Sequence, residues 1–274
     1  MLPDPDTVTE ILAEAAATEV LPRFRALEQH EVQRKDSGEL VTVADVAAEQ
    51  QISRRLLDLL PGSLVVGEEA VAEDPGILDA LGGEAPVWVI DPIDGTGNFA
   101  GGVACFAVMT ALVRQGETIG AWIHDPTTPA TAVAMAGEGA WLDGARLTVA
   151  AGGPVASLQG TLHSGMFSTP ERTSHIRSRR HLVQTVKTLR CAGHEYLRLA
   201  RAETQFSLFT KMMPWDHAPG VLIHREAGGT GRTLDGAPYD PARRPSPALL
   251  LAPDGASWTA LHETLFGGSK FAAP

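Results

Sequence analysis

Trp88-Val-Ile-Asp91-Pro-Ile-Asp94-Gly-Thr96-Gly-Asn98-Phe99 joins an apolar run to two carboxylates three residues apart, with glycine and threonine directly behind them. Val87 to Ile90 has the apolar, β-branched character of a buried strand. Pro92 has no N–H to give to a ladder, so regular pairing is expected to end near Asp91. Ligands of open α/β sheets collect beyond the carboxyl ends of the strands, which is where Asp91 and Asp94 then stand. Two carboxylates this close repel each other unless they are protonated or bind a metal. Their oxygens are hard ligands, and no Cys or His adjoins them in the sequence to favour zinc, so magnesium is the expected ion. The Ile93 carbonyl, turned outward by the bend, is a further candidate ligand. Gly95 lets backbone approach a ligand closely. A helix starting near Thr96 would offer its first N–H groups to an anion such as phosphate, and the Thr96 hydroxyl can orient a water. A D-x-x-D pair alone is ordinarily a solvated turn; the strand before it and Gly-Thr after it make this one more specific.

Three other stretches belong with it. Residues 35–45, Lys-Asp-Ser-Gly-Glu-Leu-Val-Thr-Val-Ala-Asp, place an acid at the start of an amphipathic helix, Asp45 to Leu60. Val65-Val66-Gly67-Glu68-Glu69 ends a second strand-like run in two acids. Trp215-Asp216-His217-Ala218-Pro219-Gly220 opens an apolar helix that closes at Glu226-Ala227-Gly228-Gly229. Taken singly, each has a plain structural account. Glu68 and Glu69 read as a solvated pair, Asp216 as a helix N-cap, and Asp45 as compensation of a helix dipole. Lys35 and Thr42 read as a surface lysine and a helix cap.

Taken together, in this order and spacing, the four motifs resemble the inositol monophosphatase family, within the wider group of magnesium-dependent, lithium-sensitive sugar-phosphate phosphatases. The resemblance spans roughly residues 10 to 265, and the D-P-I-D-G-T-x-N-F string is its most specific part. It implies an α/β fold layered as a five-layer αβαβα sandwich of mixed and antiparallel sheets, and a homodimer. It also implies two or three Mg2+ ions. Glu68, Asp91 and the Ile93 carbonyl would bind the first, and Asp91, Asp94 and Asp216 the second. Glu68 would help hold a weaker third, in a region shaped by Lys35 and Thr42. Glu68 and Thr96 would orient and deprotonate the attacking water, with Asp45 near it, and the N–H groups of Gly95 and Thr96 would hold the phosphate.

The substrate end departs from the family pattern. A Glu usually stands seven residues before the W-D aspartate, gripping a ring hydroxyl; here that position is Phe209, which cannot accept such a bond. The usual G-[ST]-A-A element is Gly193-His194-Glu195-Tyr196. Pro219 replaces an Ala, at a point expected to lie in a helix's first turn, where proline is tolerated. Gly193, His194, Glu195, Phe209 and Lys211 are therefore the candidate contacts to a different alcohol. The expected function is a magnesium-dependent phosphomonoesterase acting on a small phosphorylated metabolite. Histidinol phosphate, fructose bisphosphate or a 3′-phosphonucleotide are alternative substrates. A non-catalytic binding or regulatory protein that retains the fold is the alternative of another class.

Length and charge are consistent with this. The 274 residues allow one large domain or two small ones. The motifs must meet in one site, so a single domain is expected over 1–274. Gly152-Gly153-Pro154 would divide it into subdomains 1–152, carrying the metal and phosphate motifs, and 153–274, on the substrate side and contributing Asp216. A net charge of −11 argues against a nucleic-acid partner. It also repels phosphate esters, unless bound cations reverse the sign locally. Cys105 and Cys191 read as buried thiols in a reducing compartment, a disulfide being the alternative. The N-terminus lacks the pattern of a signal peptide, and the apolar run Val103 to Val113 is too short to span a bilayer, so a cytoplasmic protein without a membrane partner is expected. His194, His217 and His224 have no zinc-like company in the sequence.

The remaining pattern predicts a first helix from a cap at Asp6 or Thr7 to about Leu27, and a second stopped by Pro61-Gly62. Short strands follow at Leu64 to Val66 and Val87 to Ile90, separated by a polar connector, 71–86. An antiparallel meander runs from Ala104 to Val149. Beyond it come strands near 158–162, 205–209 and 249–252, and helices near 170–180, 193–202, 216–227 and 257–265.

Overall fold

In the computed structural model, residues 2–163 and 169–267 are described. Helix α1 (Pro5–Ala15) is capped by Asp4, whose carboxylate accepts from the Asp6 N–H at 3.1 Å, and Pro5 fills the first helical position. The expected caps, Asp6 and Thr7, lie inside the helix. Strands β1 (Val32–Arg34) and β2 (Leu40–Thr42) form a hairpin that leads into α2 (Val43–Leu59). Thr42 caps α2, and Asp45 reaches back to the Thr42 N–H at 2.8 Å, a reciprocal capping box. Strand β3 (Leu64–Gly67) passes to α3 (Glu68–Glu73) and a 3-10 stretch, Pro75–Gly82, so residues 71–86 are more regular than a polar connector.

Strand β4 (Val87–Asp94) and the short helix α4 (Thr96–Ala100) follow. The meander is β5 (Ala107–Arg114), β6 (Glu117–Asp125), β7 (Ala130–Met135), β8 (Gly139–Leu142) and β9 (Ala145–Arg146). The second half holds β10 (Gln159–Leu162), α5 (Pro170–Arg179), β11 (Gln184–Thr185), α6 (Ala192–Ala200), β12 (Phe206–Phe209), α7 (Pro214–Glu226), β13 (Thr230–Thr233), β14 (Leu249–Ala252) and α8 (Gly255–Phe266). Because α7 begins at Pro214, Pro219 lies past its first turn, and the helix forgoes the bond to the Trp215 carbonyl.

One sheet has seven strands in the order β3-β4-β5-β6-β7-β8-β9, parallel only between β3 and β4. The other has five, β11-β10-β12-β14-β13, and mixes parallel and antiparallel pairs. Helices α1 and α2 cover the outer face of the first sheet, with Leu12, Ile52 and Leu56 against Trp88, Leu112 and Trp122. Helices α6 and α7 fill the space between the sheets, with Leu197, Leu222 and Ile223 between Met109 and Leu251. Helices α5 and α8 close the far side, with Ile176 and Leu261 against Leu208 and Leu250. This is the five-layer αβαβα sandwich expected. Among the described residues no helix is long and apolar enough to cross a membrane.

Regular pairing ends at Asp91 as expected, but the ladder resumes beyond it. The β4–β5 ladder pairs Asp91 with Met109 and then Asp94 with Ala107, so β4 carries one more residue than β5 across this step. Pro92 sits in the bulge, where no donor is needed. The extra residue matters for the site. In a regular strand, residues three apart face opposite sides of the sheet; the bulge cancels that parity and lets Asp91 and Asp94 turn to the same side.

Candidate metal centre

One oxygen from each of Asp91, Asp94 and Asp216 lies within 4.8 Å of the others. Asp216 reaches them from the first turn of α7. The N-cap there is Met213, not Asp216 as expected, so the carboxylate is not spent on capping. Asp91 is 1% exposed, and its Oδ1 has no hydrogen-bond partner. Burial pushes its carboxyl well above the ordinary range, and Glu68, Asp94, Asp216 and Asp45 push it further. Asp216 is pushed up to about 7 by burial, with Lys211, 3.8 Å away, pulling the other way. The nearby lysines are already engaged. Lys35 Nζ donates to Glu68 Oε1 and Glu69 Oε1, both at 2.8 Å, and Lys211 to Glu39. A buried carboxylate oxygen without a donor, facing two more carboxylates, fits a divalent cation, and an all-oxygen set fits magnesium.

The remaining predicted residues surround this cluster. The Thr96 hydroxyl lies 2.9 Å from the Ile93 carbonyl and 3.1 Å from Asp45 Oδ1. Having one proton, it serves one acceptor at a time and presents a lone pair to a third group. Asp45 is buried behind Thr96, held by the Thr42 N–H and hydroxyl at 2.8 and 2.6 Å. Burial pushes it up to about 7, despite those bonds.

Asp94 is anchored more firmly than the sequence suggests. Its Oδ1 accepts from the Ala192 N–H at 3.0 Å, and its Oδ2 from the Gly193 N–H at 2.6 Å and the Cys191 thiol at 2.8 Å. The N-terminus of α6 therefore clasps a carboxylate from β4. Gly193 permits this approach, since a Cβ there would fall 2.8 Å from Met109 Sδ and 3.2 Å from Asp94 Oδ2. Asn98 adds a second tie, donating to the Cys105 and Leu189 carbonyls at 2.8 and 2.9 Å. Between them sits Gly95 at φ +86°, where a Cβ would lie 3.1 Å from the Cys105 carbonyl oxygen. Gly95→Ala combines left-handed backbone strain with this crowding. It should cost about 1–2 kcal/mol or more, read as a lower urea midpoint at unchanged m-value.

The carboxylates form one end of a cavity of about 500 Å³. Gly95, Thr96, Phe209 and Lys211 line it, as do His163 and Arg190, which sequence reasoning missed. Gly193, His194 and Glu195, expected to contact substrate, are not among the lining residues. His194 Nε2 turns to the Phe106 carbonyl at 3.1 Å. Glu195, 1% exposed, accepts from the Leu189 N–H at 2.7 Å. The physical reason is that α6 points its amides, not these side chains, at the cluster. Phe209 stacks between His163 and Tyr196, with ring centroids 4.9 and 5.2 Å away. His217 accepts from the Tyr196 hydroxyl at 2.9 Å and donates to the Lys211 carbonyl at 2.7 Å, and burial pushes it down to about 4. It is a neutral, fully bonded histidine of the wall.

Residues 4–266 match the inositol monophosphatase family. An inositol-1-monophosphatase of Rhizobium meliloti is 33% identical over 219 residues, covering 78% of this chain and 79% of the relative. A protein of Pseudomonas aeruginosa named Nus factor SuhB is 35% identical over 218 residues, covering 75% and 78%. The solved structure of a Thermotoga maritima IMPase superposes with a TM-score of 0.77 at 23% identity, covering 94% of this chain and 96% of that one.

Proposed function

Since the chain belongs to the inositol monophosphatase family, we propose that it is a magnesium-dependent phosphomonoesterase that hydrolyses a small phosphate ester at the Asp91–Asp94–Asp216 cluster. The observation that carries this reading is the donorless Asp91 Oδ1 inside that cluster. Asp91, Asp94 and Asp216, with Glu68 and the Ile93 carbonyl, would hold the ions. When bound, magnesium supplies an acidified water and neutralises charge on the phosphate and the leaving oxygen. Thr96, backed by Asp45, orients the water through its free lone pair, and Glu68 receives the proton. Lys35 holds Glu68 in place during this step. The amides of Gly95 and Thr96, ahead of the first intrahelical bonds of α4, hold the phosphate.

The alcohol is a separate matter. His163, Phe209 and Lys211 line the cavity, with the Phe209 ring packed between His163 and the buried Tyr196. This lining offers aromatic contact where inositol would need an acceptor. We therefore place histidinol phosphate and phosphonucleotides, whose alcohols carry planar rings, ahead of inositol phosphate and fructose bisphosphate. Phe209→Glu should raise the relative kcat/KM on inositol phosphate by about tenfold, one charged hydrogen bond's worth. The same variant should lose about 3 kcal/mol of stability with the stack. Phe209→Leu should lose stability without the gain; equal rates for both variants would remove the pocket argument.

The deciding experiment is phosphate release from a panel of small esters, with and without magnesium. Metal-dependent turnover of at least one ester supports the proposal. A second reading comes from the Pseudomonas aeruginosa relative, whose name is that of a Nus factor. In that reading the chain keeps this fold to serve a macromolecular partner. Silence across the whole panel, with magnesium binding intact, would favour it.

A further inference from the structure

A second group of ligating side chains lies against the carboxylates. One sulfur from each of Cys105 and Cys191 and one ring nitrogen of His194 lie within 4.8 Å of one another. Cys105 comes from the loop between α4 and β5; the other two come from the N-terminal end of α6 and the residue before it. No disulfide joins the thiols. In the sequence these residues have no metal-site spacing, because 86 positions separate the two cysteines; only the clasp between β4 and α6 brings them together.

The two thiols now give their protons to oxygen acceptors, Cys191 to Asp94 Oδ2 at 2.8 Å and Cys105 to the Leu189 carbonyl at 4.0 Å, and a bound cation would replace those protons. His194 Nε2 donates to the Phe106 carbonyl at 3.1 Å and faces Asp125 Oδ1 at 3.9 Å. Nδ1 therefore keeps the lone pair. A carbonyl or carboxylate behind the other ring nitrogen is the usual support of a metal-bound histidine. Asp125 is itself fixed by the Thr127 and Thr128 hydroxyls, both at 2.7 Å. Cys191 is buried and lines the cavity, while Cys105 is partly exposed, so a cation has a way in. Two thiols and an imidazole discriminate against magnesium and favour a softer ion.

We propose that Cys105, Cys191 and His194 bind a thiophilic divalent cation of the zinc class, with water in the fourth position. Each thiol passes its proton to solvent on binding, and no electron moves. The site touches the carboxylate cluster through the Cys191 thiol, 2.8 Å from Asp94 Oδ2, but its ligands are different residues and its occupancy is measured without turnover.

The test is a Co2+ titration of the full-length, metal-free protein with both thiols reduced and counted. About one equivalent should produce sulfur-to-cobalt charge-transfer absorption with tetrahedral visible bands. Zn2+ should bleach it, and a large excess of Mg2+ should not. Cobalt held by the carboxylates alone would give only weak bands without charge transfer. Cys105→Ser should weaken this binding by more than about 100-fold. Should that variant fold poorly, the parent protein still answers: Zn2+ should protect both thiols from alkylation. No charge-transfer band, unchanged cobalt affinity in Cys105→Ser, or alkylation indifferent to zinc would each overturn the proposal.

Discussion

An Asp91→Asn variant should lose magnesium-dependent turnover by about a thousandfold and yet, without metal, melt above the parent protein. Both effects have one cause. Asp91 is buried, its Oδ1 has no donor, and its charge is opposed by Glu68, Asp94, Asp216 and Asp45. Without a cation that charge is a liability to the fold, and an isosteric amide removes it. The expected gain is about 0.5–2 kcal/mol, within the range of substitutions that relieve a strained functional site. Kinetics with magnesium and thermal melts in a chelator measure the two halves. Asp91 is the better choice than Asp94, because an amide at Asp94 would also face the N–H groups of Ala192 and Gly193 and disrupt the clasp. Retained activity in Asp91→Asn would remove the metal assignment. Lost activity with lower metal-free stability would mean that Asp91 is a structural residue.

Magnesium should raise the melting temperature little near pH 5.5 and by about 5–10 °C near pH 8, at an ion concentration about 100 times its Kd. Asp216 is pushed up to about 7 from the ordinary 3.8 by burial, and Asp91 lies well above its ordinary value for the same reason. Groups raised on folding stabilise the metal-free protein fully below their unfolded value, and that contribution is lost as pH rises through the folded value. His217 works the other way: pushed down to about 4 by burial, it contributes stability above 6.5 that is lost as pH falls toward 4. A bare melting curve mixes the two. The difference between magnesium and chelator cancels the histidine and isolates the carboxylates, where protons and cation compete for the same oxygens. A magnesium shift of equal size at both pH values would show that the ion binds elsewhere.

The residues of the cluster were legible in the sequence because hard ligands, a strand and a Gly-Thr turn occur within one short string. Their geometry was not. Pro92 read as the end of regular pairing, since a proline has no donor, and the register does break there; that the ladder resumes beyond it depends on the partner strand β5, which the string itself does not show. Asp216 read as a cap because an acid near a helix start usually is one, and only the position of Pro214 moves the boundary. The layers were foreseeable, although regular structure across 71–86 was not. Least legible was the face that α6 turns to the site. Gly193, His194 and Glu195 sit in one run, and nothing in that run says that the backbone, not the side chains, meets Asp94. The same orientation hid the company that Cys105 and Cys191 give to His194.

The clasp between Asp94 and α6 also sets a schedule. The carboxylate leaves the ribosome about 98 residues before the amides that hold it, and Asp216 emerges later still. Until the second sheet docks, the nascent chain carries only part of a metal centre, with nothing to orient it. Contacts this distant along the chain form late. A growing chain therefore has not yet assembled the cluster of Asp91, Asp94 and Asp216. The appearance of tight magnesium binding during refolding would then serve as a clock for the docking of the two halves.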